Sequence, residues 1–299
     1  MMQDYSKVPL TYAEQISLLQ SRGLIIADTA TAGKFLEQVN YYRFSAYCVP
    51  FQNPRDAFIP GTSFEMITAL YRLDEELRNA FMALISPVEI FLRTHIVYEL
   101  SHTCGVYCHY ESSNFRPDFE HAQWMASLDE EVTRGKETFL DHFKTKYNGF
   151  PRLPIWVACE VMSMGTLSLL YSGLCPDLQR RIRLDLEIHH FTLAKWMHVI
   201  TYLRNLCAHH NRLWNRELAI RPTLPNKDPR WTGLALNNEH ILSIVALLEW
   251  ICRRADISLT FVDDVYAVMR SISAIDTRFS AMMGVPAGRA IGMCWETGA

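Results

Sequence analysis

Apolar positions along this 299-residue chain recur at helical spacing almost throughout. Between Ser63 and about Ser101, Leu70, Leu73, Leu77, Phe81, Leu84 and Ile85 follow one another at steps of three, four and one. That period lays side chains along one face of an α-helix. Pro87 interrupts the block and predicts a kink or a split, since proline removes one helical hydrogen bond and crowds the preceding turn. Shorter helices are expected over Thr11–Ser21, closed by Gly23, and from Ala30 to Tyr47. The proline-bearing stretch 50–61 reads as a loop, as does 102–118, and 119–146 reads as one more polar helix. Pro154 opens a helix ending near Gly173, another follows Pro176, and Thr192 to about Arg216 is proline-free and periodic. Beyond the loop holding Pro222, Pro225 and Pro229, helices are predicted over Asn237–Arg254 and as a pair near 261–283. Neither hairpin-linked alternation nor a fixed-period repeat appears. The pattern predicts an all-α fold: an N-terminal helical extension over 1–60, a helical bundle core over 61–275 and a C-terminal tail over 276–299, packed as one compact unit.

Composition narrows the class without naming a function. With 49% apolar and 20% charged residues, the chain can bury about 75% of its unfolded surface, enough to fold without disulfide or metal. The opening MMQDYSKVPL lacks an apolar signal core, and the longest apolar run, Ile241–Ile251, falls short of a bilayer span. A cytoplasmic, non-membrane protein is expected, its eight cysteines being free thiols. A net charge of −3 gives no overall pull on nucleic acid, so any anionic ligand needs a local cluster.

One such cluster exists. Residues 204–216 read RNLCAHHNRLWNR, with Arg204, Arg212 and Arg216, His209 and His210, three Asn and no carboxylate. On a wheel of about 100° per residue, Arg204, Asn205, Arg212, Arg216 and His209 share one face, while His210 points with Leu203, Leu206, Cys207 and Trp214. An imidazole titrates near cytosolic pH and can give or take a proton. Guanidinium groups grip phosphate oxygens and stabilise added charge. One His and one Arg are half of what metal-free RNA cleavage requires, and two copies across a symmetric dimer would complete the set.

Arg204 and His209 form the Arg-x4-His pattern of HEPN ribonucleases, and the thirteen-residue segment resembles the signature of the Abi-like (abortive infection, AbiD/AbiF) family. PLTYAEQISLLQSRGLII with NYYRFSAY, LDEELRNAF with SPVEIFLRTHI, and PIWVACEVMSMGTLSLLY resemble the same family, which extends the likeness over nearly the whole chain. MGVPAGRAIGMCW fits it only loosely. The resemblance implies a HEPN-type helical dimer and a composite site that cleaves RNA without cofactor or metal, leaving a 2′,3′-cyclic phosphate. It implies a role in phage defence or as a toxin, with a cognate antitoxin or regulatory RNA as further partner. Arg204 would bind and polarise the scissile phosphate, His209 would act as general base or acid, Asn205 would orient them, and Glu160 would support Arg204.

Blander readings stand beside these. The binding-only alternative keeps the fold as an RNA- or protein-binding sensor or antitoxin. Arg204 and His209 could be solvated charges at a capped helix end. The wheel favours a buried, hydrogen-bonded His210 over a supporting site residue, and Arg212 and Arg216 fit either RNA phosphates or internal acids. His102, Cys104, Cys108 and His109 have some zinc-like spacing but no second ligand pair. Asp74 with Arg78, and Glu89 with Arg93, are spaced as scaffold ion pairs. His189 and His190, and the basic run Arg180, Arg181 and Arg183, read as a loop pair and a solvated face.

Overall fold

The computed structural model describes residues 8–182 and 185–295. Residues 1–7, Arg183 of the basic run, Leu184 and the last four residues lie outside them. The described residues form an all-α protein with 14 α-helices and isolated β-bridges in place of any strand. In chain order the helices are α1 (Tyr12–Ser21), α2 (Thr29–Gln38), α3 (Tyr41–Cys48), α4 (Phe64–Cys104), α5 (His121–Arg134), α6 (Thr138–Lys146) and α7 (Ile155–Val161). There follow α8 (Met164–Gly173), α9 (Pro176–Arg181), α10 (His190–Ala208), α11 (Pro229–Thr232), α12 (Ile241–Arg254), α13 (Thr260–Ile275) and α14 (Arg278–Met282). They divide into two compact units, with the boundary inside α4. One holds the described residues up to Glu76 with Ala274–Asp276, and the other holds Leu77–Ser273 and the chain from Thr277 on.

Three predicted helices are in fact pairs, and a polar residue marks two of the breaks. Asn40 accepts from the Tyr42 amide and starts α3; Ser163 accepts from the Thr166 amide and starts α8. Both side chains satisfy an amide that the first helical turn leaves unpaired. The third break follows α5, where Gly135 is the C-cap. Pro87, by contrast, splits nothing: α4 runs through it as one 41-residue helix. The carbonyl that loses its donor belongs to Ala83, which is exposed, so water can replace the missing bond.

In the first unit Phe35, Phe44 and Phe64 pack edge-to-face or tilted, with centroids 5.1–5.7 Å apart. Leu19, Leu36 and Ile67 are buried around them. The second unit is built on α4 from Leu77 on, whose Phe81, Leu84, Val88, Leu92 and Ile96 are fully enclosed. Among the described helices α4 alone is long and apolar enough to cross a bilayer. Its inward face is packed like that of any core helix. A cluster of Trp196, Trp231, Trp250 and Trp295, with centroids 4.6–5.4 Å apart, is buried in the same unit.

The tail is part of that core. Glu249 of α12 is wholly buried and accepts from the Cys294 amide at 2.8 Å, the Trp295 amide at 3.1 Å, the Tyr266 hydroxyl at 3.0 Å and Arg253 Nε at 3.0 Å. One carboxylate thereby satisfies two main-chain donors and pairs with a cation, which a buried charge requires.

Candidate active site at the end of α10

Helix α10 delivers the Arg/His segment to the surface. Its inner face buries Leu193, Trp196, Met197, Ile200, Leu203 and Leu206, and Trp196 Nε1 donates to the Thr223 carbonyl at 2.8 Å. Against its flank lies α8, where the Thr201 hydroxyl reaches the Met164 carbonyl at 3.4 Å. The next outward positions, Arg204 and Asn205, are exposed. Neither Arg204 nor His209 makes a side-chain hydrogen bond or ion pair among the described residues. Both are available to a ligand.

The helix stops eight residues short of Arg216, and it stops within the motif. His209 is the C-cap (φ −91°, ψ 13°), and His210 takes φ +55°. The His210 amide donates to Cys207 O at 3.0 Å and the Asn211 amide to Leu206 O at 2.9 Å. This is the Schellman arrangement, normally closed by glycine at the left-handed position. The wheel therefore loses meaning after Ala208. His210 does not point with the leucines: it is exposed, which corrects the buried reading. Leu213 and Trp214 are buried nonetheless, as part of the loop beyond the helix. Arg216 is half-buried, its Nε donating to the Arg212 carbonyl at 2.9 Å, and Arg212 is half-buried as well.

Two arginines of α4 hold the surroundings of the motif. Buried Arg78 donates from Nη1 to the Asn211 carbonyl at 3.4 Å and ties down the turn just after His209 and His210. Arg93 keeps the predicted pair with Glu89 at 2.8 Å. Its guanidinium also donates to the carbonyls of Cys159 and Met162, the latter at 2.8 Å. It thus satisfies acceptors left open where α7 ends and fixes the α7–α8 junction beside Thr201. Sequence spacing found the Glu89–Arg93 pair because it is local. It could not find the carbonyl partners, 133 positions from Arg78 and 66 and 69 from Arg93. Glu160 is exposed on α7 and makes no ion pair with Arg204; its carboxylate lies 3.7 Å from Cys159 Sγ.

The remaining candidates disperse. His102 is exposed, its Nδ1 2.8 Å from Tyr98 O, whereas Cys108 and His109 are buried. Among the described residues no three His, Cys, Asp or Glu side chains gather as a metal site. His189 accepts from the Phe191 amide and caps α10; buried His190 bonds Gln179 at 2.9 Å. Arg180 pairs with Asp177.

Searches of curated proteins and of solved structures return no match. The sequence profile described as Abi-like protein matches residues 34–215. The matched stretch omits PLTYAEQISLLQSRGLII and everything after Asn215, so the likeness is narrower than the quoted segments suggest. It still covers more than half of the chain, and it ends within the Arg/His segment itself: the protein belongs to the Abi-like protein family.

Proposed function

We propose that this protein is a metal-independent RNA endonuclease of the HEPN type, acting in the cytoplasm in abortive infection or as a toxin, with a site shared by two copies of the chain. The observation that carries the reading is the paired exposure of Arg204 and His209 where α10 ends, in a segment without carboxylates. A basic imidazole takes the proton of the RNA 2′-hydroxyl, and the 2′-oxygen attacks the adjacent phosphorus. The phosphorus–5′-oxygen bond breaks, an acidic imidazolium protonates the leaving oxygen, and a 2′,3′-cyclic phosphate remains. Each chain brings one His209, so base and acid come from two subunits. Arg204 neutralises the charge that builds on the phosphorane. Asn205 and His210, both exposed beside them, orient the pair, and Arg212 and Arg216 hold flanking phosphates.

The test is purified His209→Ala assayed on total RNA, with end analysis of the products. General acid–base steps contribute about 10²- to 10⁴-fold, so cleavage should fall by that factor while the thermal transition stays in place. Wild-type cleavage by the variant would overturn the assignment. RNA binding by the wild type without cyclic phosphate ends would make the chain a binding module.

A further inference from the structure

Upstream of the Arg/His segment, α10 presents a face that the proposed chemistry does not use. The helix has no carboxylate in its 19 residues, in a chain whose net charge is −3. At about 100° per residue, Phe191, Lys195, His198, Tyr202 and Asn205 share an arc of about 80°. Tyr202 is half-buried, and the other four are exposed. His209 stands one turn beyond Asn205 as the C-cap, so at about 1.5 Å per residue the stripe runs for about 27 Å. Lys195 and His198 have no side-chain partner among the described residues. Helix α8, along the flank of α10, carries no carboxylate either. Beside Tyr202, whose hydroxyl accepts from the Ala219 amide, Glu217 pairs with Arg221 at 2.8 Å. Near the first turn, Asp177 pairs with Arg180 and Glu187 with Arg230 and Arg254, which leaves Asp185 as the one open carboxylate there among the described residues.

The N-terminal end of the stripe is a braced aromatic ledge. Phe191 is 53% exposed. Its ring stacks on His189 with centroids 5.4 Å apart and packs against His190 at 4.4 Å. His190 is fixed in turn by Gln179 at 2.9 Å, whose amide donates to the Tyr171 carbonyl at 2.8 Å. An exposed ring held this way loses little freedom when another ring stacks on it. Ring, ammonium and imidazole in single file, ending at Arg204 and His209, fit a linear ligand with anions at intervals and flat faces between them. A duplex keeps those faces inside its own stack. We infer that the outer face of α10 is a track for single-stranded RNA, with a base on Phe191 and phosphate oxygens on Lys195 and His198. RNA as the ligand rests on the proposed chemistry, whereas the track itself does not require cleavage.

Fluorescence anisotropy of full-length protein with labelled 2′-O-methyl octamers tests this, because the blocked hydroxyl allows binding without cleavage. The single-stranded octamer should bind more tightly than a tetramer and more tightly than the octamer paired in a duplex. Phe191→Ala should weaken it about 5-fold or more, as lost base stacking does. Lys195→Ala should weaken it and reduce the slope of log affinity against log salt by about 0.7, the share of one phosphate contact on a single strand. Both residues are exposed, so the variants should keep the thermal transition of the wild type. A wild-type protein that binds octamers in this pattern but leaves unmodified RNA uncut would refute the catalytic reading and support the track. No octamer binding, or octamer binding that either variant leaves unchanged, overturns the track whether or not RNA is cut. A face covered instead by a second copy would show as dissociation of Phe191→Ala in sedimentation with octamer affinity unchanged, which overturns it too.

Discussion

His109 shows what a single side chain can do to the acid limit of this fold. It is 1% exposed, both ring nitrogens lack a partner among the described residues, and it packs on Tyr110 with centroids 4.2 Å apart. Burial, reinforced by Arg152 and His121, lowers its pKa to about 3. In the unfolded chain the same imidazole binds a proton near pH 6.5. Between these two values only the unfolded state is protonated, so stability is complete above about pH 6.5 and declines as the pH falls toward 3. At pH 5 the loss from this residue is about 2 kcal/mol. His109→Phe keeps the ring and removes the titration, so urea denaturation at pH 7 and pH 5 should show a smaller acid loss in the variant. An unchanged pH dependence would exclude His109 as its source. Nothing in the spacing of His102, Cys104, Cys108 and His109 distinguishes this buried ring from a ligand, because burial of a loop residue is decided by chain segments far away.

At the scale of elements, the end of α10 makes a sharper prediction than its middle. A non-glycine residue in the left-handed region is strained, and His210 occupies it at φ +55°. His210→Gly relieves the backbone and should cost less than the β-branched His210→Val, which should lower stability by about 1–2 kcal/mol. Denaturation midpoints of the two variants would show this. If glycine destabilises more than valine, the conformation is held by contacts of the imidazole and not by the backbone. The Glu249 strap is the second case. Glu249→Ala leaves Arg253 and two main-chain amides without their buried acceptor, so a loss of about 3–5 kcal/mol is expected. Protease cleavage should then begin in the tail. A melting temperature within a degree or two of wild type would exclude that role. Elements with a strong apolar period, such as α4 and α10, were legible from the sequence because one buried stripe specifies each of them, and α12 because its apolar run is buried on every side. The breaks at Asn40, Ser163 and Gly135 were not, since a capping side chain or a lone glycine inside a periodic run leaves the hydrophobic pattern undisturbed. The helix end at His210 was signalled only by the asparagines that follow, since a histidine stands where the motif's usual signal would be glycine.

For the whole molecule, the question is whether one chain suffices for the proposed reaction. The segment 204–216 was legible down to its cationic character, and α10 exposes Arg204 as the wheel predicted, while His209 is exposed as the C-cap beyond the helix. The number of chains per site was not, because each chain carries the same two groups and its sequence is silent on how copies meet. If one His209 is the base and the other the acid, a mixed dimer with a single His209 lacks one of the two proton transfers. Wild-type and His209→Ala chains refolded together in equal amounts would then retain about one quarter of the wild-type rate at the same total concentration, as random pairing in a twofold dimer requires. If each chain acts alone, about one half remains. A dilution series adds an independent measure, since a shared site loses rate per chain as dimers dissociate and an independent one does not. A value of one half together with concentration-independent turnover would place both proton transfers within one subunit, and His210, exposed next to His209, would be the second imidazole to test.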